Sequence, residues 1–165
     1  MIIRDYDPSQ GQAFQGDVSI IPIPADITLS TIDEIKPVDG RLILQEGEVT
    51  GHHHAVRLRN FRPATEPVGD PSVATRSPRL RKAFGGKKTN NIGEAHLYRD
   101  AAVPREMQRR GILTRSDLAI ATLVVEGNPV VIGHDEHDGI RVPPGRYLIG
   151  RQIESAGAEE RIVAD

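Results

Sequence analysis

Cysteine and tryptophan are absent from this 165-residue chain, and only three Phe and three Tyr stand against 16 Gly and 12 Pro. Without cysteine there is no disulfide framework, no thiol nucleophile, no thiolate zinc site and no cysteine-held iron–sulfur cluster. Histidine and carboxylate remain as the strong metal ligands. Few aromatics and many turn formers predict many short strands rather than a helix bundle. No apolar run reaches the roughly eighteen residues of a spanning helix, and Arg4 and Asp5 put charge too early for a secretory signal. The expectation is a soluble, cytoplasmic protein with no membrane partner. One domain of this length can bury its own core.

Charge is what the chain has, unevenly placed. The net −2 is the sum of −6 over residues 1–50 (3 basic, 9 acidic), +8 over 51–113 (13 and 5) and −4 over 114–165 (5 and 9). Much of the positive excess falls in residues 59–94, which are rich in Pro, Gly, Arg, Lys and Asn with little periodicity. That pattern predicts a long, flexible basic insertion.

Around it, β-branched runs predict strands at 16–24, 41–45, 49–58 and 95–98. Pro22 and Pro24 suggest an edge position or an exit into a loop. Pro104 predicts the start of a helix over 105–110 capped by Gly111, and capping oxygens at 114–117 extend the helical segment to about residue 118. Gly127-Asn128 predicts a hairpin joining strands 118–126 and 129–133, followed by strands at 140–142 and 146–153. The fold class expected is mainly β, a compact antiparallel barrel or sandwich, with residues 1–153 as one domain. Residues 154–165 read as a polar tail, frayed or weakly helical.

Five of the six histidines lie in two clusters, His52-His53-His54 and His134 with His137. On an unbroken strand His52 and His54 share a face with Glu48, while His53 points the other way. Two residues of strand separate the imidazoles by about 6–7 Å, within reach of one metal ion. The candidate ligands are therefore His52, His54, His134 and His137 for a divalent metal, zinc or iron, with Glu48 and Glu136 as supporting carboxylates or bases. His96 stands alone after Glu94 and reads as structural.

The stretch from Gly47 through His52 and His54, with Pro143-Pro144-Gly145 later, resembles the cupins, whose motifs are Gly-x5-His-x-His and Gly-x5-Pro-x-Gly-x2-His. Gly47 stands one residue too near His52, no Glu occurs from Ala55 to Asn60, and Leu148 takes the place of the third histidine. The resemblance implies a cupin-like barrel, with the missing ligand supplied by His134 or His137. The chain more nearly resembles a group of small bacterial β proteins to which no activity is assigned. Its motifs here are Gly16-Asp17-Val18, Glu46 to His54, Leu97 to Asp100, His134 to His137, Pro144 to Tyr147 and Arg151-Gln152. That resemblance implies an accessory role beside ATPase and leucine-rich-repeat components of bacterial conflict systems.

Residues 76–88 offer an anion- or partner-binding set in Arg76, Arg79, Arg81, Lys82, Lys87 and Lys88. A neighbouring copy of the chain or another protein with an acidic face fits it, and nucleic acid is the alternative partner. No Gly-x-Ser-x-Gly elbow occurs, and Ser116 has no histidine near it in sequence. No catalytic residue is assigned. The expectation is a non-catalytic accessory or structural protein, self-associating, with a histidine-based metal site. A metal-dependent cupin-like enzyme and a nucleic-acid module are the alternatives.

Overall fold

A computed structural model describes residues 2–46, 53–57, 94–133, 138–156 and 159–162. Calls on the remaining residues, including the basic insertion, lie outside the described part of the chain.

Strand alternation writes the architecture. In β3 (Val18–Pro22) Val18 and Ile20 face inward, in β5 (Arg41–Glu46) Leu42 and Leu44, in β7 (Glu94–Tyr98) Ala95 and Leu97, and in β8 (Ala119–Glu126) Leu123 and Val125. The period of two buries one face of each strand and leaves the other outside. Adding β1 (Ile3–Asp5), β2 (Ala13–Gln15), β4 (Glu34–Ile35), β6 (His53–Arg57), β9 (Val130–Gly133), β10 (Gly139–Val142) and β11 (Gly145–Arg151) completes two sheets. Their orders are β1-β10-β9-β6-β5 and β2-β3-β11-β8-β7-β4. Among the described residues only β1, paired with β10, runs parallel to its neighbour; the other pairings are antiparallel.

Leu42, Val56 and Ile132 of the first sheet share one core with Ile20, Leu123 and Ile149 of the second. The protein is a mainly β sandwich, not a closed barrel. A second, smaller core lies on the outer face of the six-stranded sheet. There the helix α1 (Ala102–Arg109) lays Val103 and Met107, one turn apart, over Leu148, Ile23 and Ile27. Leu148, the position of the third histidine in the cupin pattern, is thus a core residue.

Helix α1 starts two residues before Pro104. The Asp100 carboxylate accepts from the Ala102 and Val103 amides at 2.9 and 3.3 Å, which caps the first turn. It ends at Arg110, with Gly111 at φ +75° taking the left-handed conformation expected there. The 114–118 segment is a single 3-10 turn, Ser116–Leu118, rather than a continuation of the helix.

Glu106 accepts from Arg109 and Arg110, and those guanidinium groups hold its carboxyl down to about 2. A carboxyl depressed in the folded state stabilises it above the unfolded value of about 4.3 and loses that contribution as pH falls toward about 2. Glu106→Gln is therefore expected to lower the melting temperature slightly at pH 6, with the gap to wild type closing below pH ~4. A gap that stays constant from pH 6 to pH 2.5 would show that the pair contributes nothing; screening by solvent keeps the effect small in any case.

Two expectations about connectivity are corrected. Gly127-Asn128 does not close a hairpin: β8 pairs with β7 and β11, whereas β9 pairs with β6 and β10 in the opposite sheet. The turn carries the chain across the sandwich, because both strands bury an apolar face and those faces meet from opposite sides. The tail is neither frayed nor helical through 162, since β12 (Ile153–Ala156) and β13 (Glu159–Ile162) form an antiparallel pair. Of the two readings of Pro22, the exit into a loop holds: it is the last residue of an internal strand, and since β2 reaches only as far as Ile20 the missing N–H of Pro22 faces an uncovered position.

The Pro144-Gly145-Arg146-Tyr147 segment is structural. The buried Tyr147 hydroxyl donates to the Pro143 carbonyl at 2.8 Å, and a Cβ on Gly145 would stand 2.7 Å from that hydroxyl. Arg146 donates to the carbonyls of Ile27 and Pro24 at 2.8 and 2.6 Å, fixing the loop after β3.

Candidate metal centre

The outward residues of three neighbouring strands build the site. With Ala95 and Leu97 buried, Glu94, His96 and Tyr98 of β7 must face outward; with Leu123 and Val125 buried, so must Val124 and Glu126 of β8. The register sets Glu94 directly opposite Glu126, His96 opposite Val124, and Glu34 of β4 opposite Tyr98. Glu94, His96 and Glu126 thereby bring one ligand atom each within 4.8 Å of one another, a group that could hold a metal ion.

Glu34 completes the arrangement from the other side. Its Oε1 lies 3.0 Å from Nδ1 of His96, while its Oε2 takes the ammonium of Lys36. Lys36 first and His96 second hold the Glu34 carboxyl below the usual carboxylate range. An ionised carboxylate only accepts, so the proton of a neutral His96 sits on Nδ1 and the Nε2 lone pair is left for a metal. Tyr98 stacks on the imidazole at 6.2 Å between ring centroids, 19° from parallel, and steadies its plane.

Like charges directly opposite on neighbouring strands repel. Among the described residues, neither Glu94 nor Glu126 is in an ion pair with a basic side chain. A cation between them converts the repulsion into attraction. One imidazole and two carboxylates suit a divalent transition metal, and three protein ligands leave positions open to water or a further donor.

A second polar group lies inside the sandwich. Gly16, at φ +55°, and Asp17 form the two-residue turn from β2 to β3. The Asp17 side chain turns inward, 2% exposed, with Oδ1 2.8 Å from Nε2 of His54, itself 2% exposed. The Gln45 amide donates to the other oxygen, Oδ2, and the Gln152 N–H donates to the Asp17 carbonyl at 2.7 Å. Gln15 donates to the carbonyls of Ile132 and Asp138 at 3.2 and 2.7 Å. Residues from three of the motifs quoted above, Asp17, His54 and Gln152, therefore meet at one place and join the two sheets.

Of the four expected metal ligands, His54 is placed against Asp17; His52, His134 and His137 lie outside the described residues, as do Glu48, Glu136 and the basic set Arg76, Arg79, Arg81, Lys82, Lys87 and Lys88. His53 is half-buried and His54 buried, in keeping with opposite faces. His96 is not the isolated residue that its surroundings in sequence suggest. The signal was present in Glu94-x-His96, two ligand types on one strand face, but the third ligand is 30 residues beyond His96 and depends on strand pairing.

Fold and sites together define a two-sheet β sandwich bearing a histidine–carboxylate group on one outer face. Comparison with protein-family models, with curated proteins and with solved structures finds no match to this chain.

Proposed function

We propose that this is a non-catalytic accessory β protein that binds one divalent cation, zinc or iron(II), through Glu94, His96 and Glu126. The observation that carries the reading is the convergence of these three ligands within 4.8 Å, with His96 oriented by Glu34. A binding role is favoured over catalysis because Glu94 and Glu126 are exposed on an open sheet face. Among the described residues no walls stand around it to exclude water from a reacting centre. We place the protein in the cytoplasm, acting with a protein partner or a second copy of itself; no helix among the described residues is long and apolar enough to cross a membrane.

Titration of the tag-free chain with zinc should show one equivalent bound by calorimetry. A metal present at a hundred times its Kd stabilises the fold by about 2.7 kcal/mol, visible as a rise in Tm. Both effects should vanish in Glu94→Gln/Glu126→Gln. Absence of stoichiometric zinc would refute the proposal. So would zinc retained by that variant and lost by His134→Ala/His137→Ala, which would move the metal to the histidine clusters.

A further inference from the structure

Between α1, the 3-10 turn Ser116–Leu118 and the start of β8 lies an open cleft of about 400 Å3. Its apolar lining is half-buried Ala119 and Ile120, with Ala121 and Leu148 almost fully buried behind them. A bulge in β8 shapes it: pairing with β11 slips between Ala121 and Ala119, so Ile120 and Ala121 both pack on the main core while Ala119 joins the smaller one.

The charged groups on its rim are not equally engaged. The Asp100 carboxylate is taken on both oxygens, by the Ala102 and Val103 amides and by the Ser30 amide at 2.6 Å. Asp117 is held on both oxygens by Arg115, at 3.1 and 2.5 Å. The two arginines are different. Arg99 reaches Asp33 only at 3.4 Å in an exposed pair, and Arg105 uses Nε alone, on the Ala101 carbonyl at 2.8 Å. Among the described residues the terminal nitrogens of Arg105 have no partner, and Ser116 also lines the cleft. The cleft therefore joins an apolar floor to two guanidinium groups whose donors are largely open, while its acids are neutralised from within.

We propose that this cleft binds a small organic carboxylate with an apolar body, its head group on Arg99 and Arg105 and its body on Ala119 and Ile120. The volume falls in the range of small-molecule sites, and a guanidinium fork matches a carboxylate in shape as well as charge. The proposal does not rest on the candidate metal group, although Glu126 of that group lies at the far end of the same strand, β8.

Octanoate is the probe, with octan-1-ol and inorganic phosphate as controls, followed by two-dimensional NMR of the full chain. Octanoate should shift the Ala119 and Ile120 amides saturably, and neither control should do so. Arg99→Ala/Arg105→Ala should weaken octanoate by on the order of tenfold for each guanidinium, with an unchanged melting temperature because both side chains are exposed. Arg99→Lys/Arg105→Lys keeps the charge without the fork, and should also bind more weakly. No saturable octanoate shift, equal binding by both variants, or equal shifts from phosphate alone would each overturn the proposal.

Discussion

Replacing Asp17 by alanine is expected to destabilise the protein by about 1–3 kcal/mol, the cost of leaving the polar groups that face it without their partner. For a chain of this size that is a fall of about 2–12 °C in Tm. The reason is geometric. Asp17 meets His54 on one oxygen and Gln45 on the other, and its backbone carbonyl holds Gln152, so one turn residue of the six-stranded sheet is tied to two strands of the five-stranded sheet. Alanine keeps the Gln152 bond, which is to the backbone, and takes the carboxylate away from the imidazole and the amide. The imidazole lies in an interior that water cannot readily enter to replace it. A double-mutant cycle with His54→Leu isolates the pair: the two changes together should cost less than the sum of the single changes. Scanning calorimetry of the four proteins decides the matter. A shift under 2 °C for Asp17→Ala, or strict additivity in the cycle, would mean that the contact does not hold the sheets.

Leu123→Ala should cost about 2–5 kcal/mol, the transfer term plus the cavity left behind. Leu123 is fully buried on β8, which lies between β11 and β7 in the six-stranded sheet. Its neighbours across the sandwich belong to a different sheet, so the space cannot close by the movement of one side chain. Urea unfolding should show a lower midpoint with an unchanged slope. A loss under 1 kcal/mol would indicate that the two sheets collapse onto the gap. The same burial matters for the metal group: a one-residue slip of β8 would turn Leu123 outward and carry Glu126 away from Glu94.

The candidate metal group and the interior Asp17–His54 contact show how far the chain could be read without coordinates. Glu94, His96 and the outward face they share are evident from the alternation of 94–98, and the turn character of Gly16-Asp17 is equally local. That Glu126 stands opposite Glu94, 32 positions on, is a matter of register. That His54 meets Asp17, 37 positions back, follows from two sheets packing face to face. Neither pairing leaves a mark in the residues between. The same limit explains Gly127-Asn128, where turn chemistry marked the reversal correctly but could not say whether the flanking strands pair with each other or enter opposite sheets.

By itself the sequence determined the class of the protein. The lack of cysteine confined metal binding to histidine and carboxylate, and the scarcity of aromatics beside abundant Gly, Pro and alternating β-branched residues specified short strands folded as a mainly β domain. These are local properties, because a strand's period of two and a turn's backbone angles are set within a few residues. Only the tertiary structure decided which strands are neighbours, which polar residues go inside, and that His96, rather than standing alone, shares an outer face with two carboxylates that no basic side chain among the described residues pairs. Those choices come from burying apolar faces contributed by distant parts of the chain at once, a condition that no short window of sequence contains.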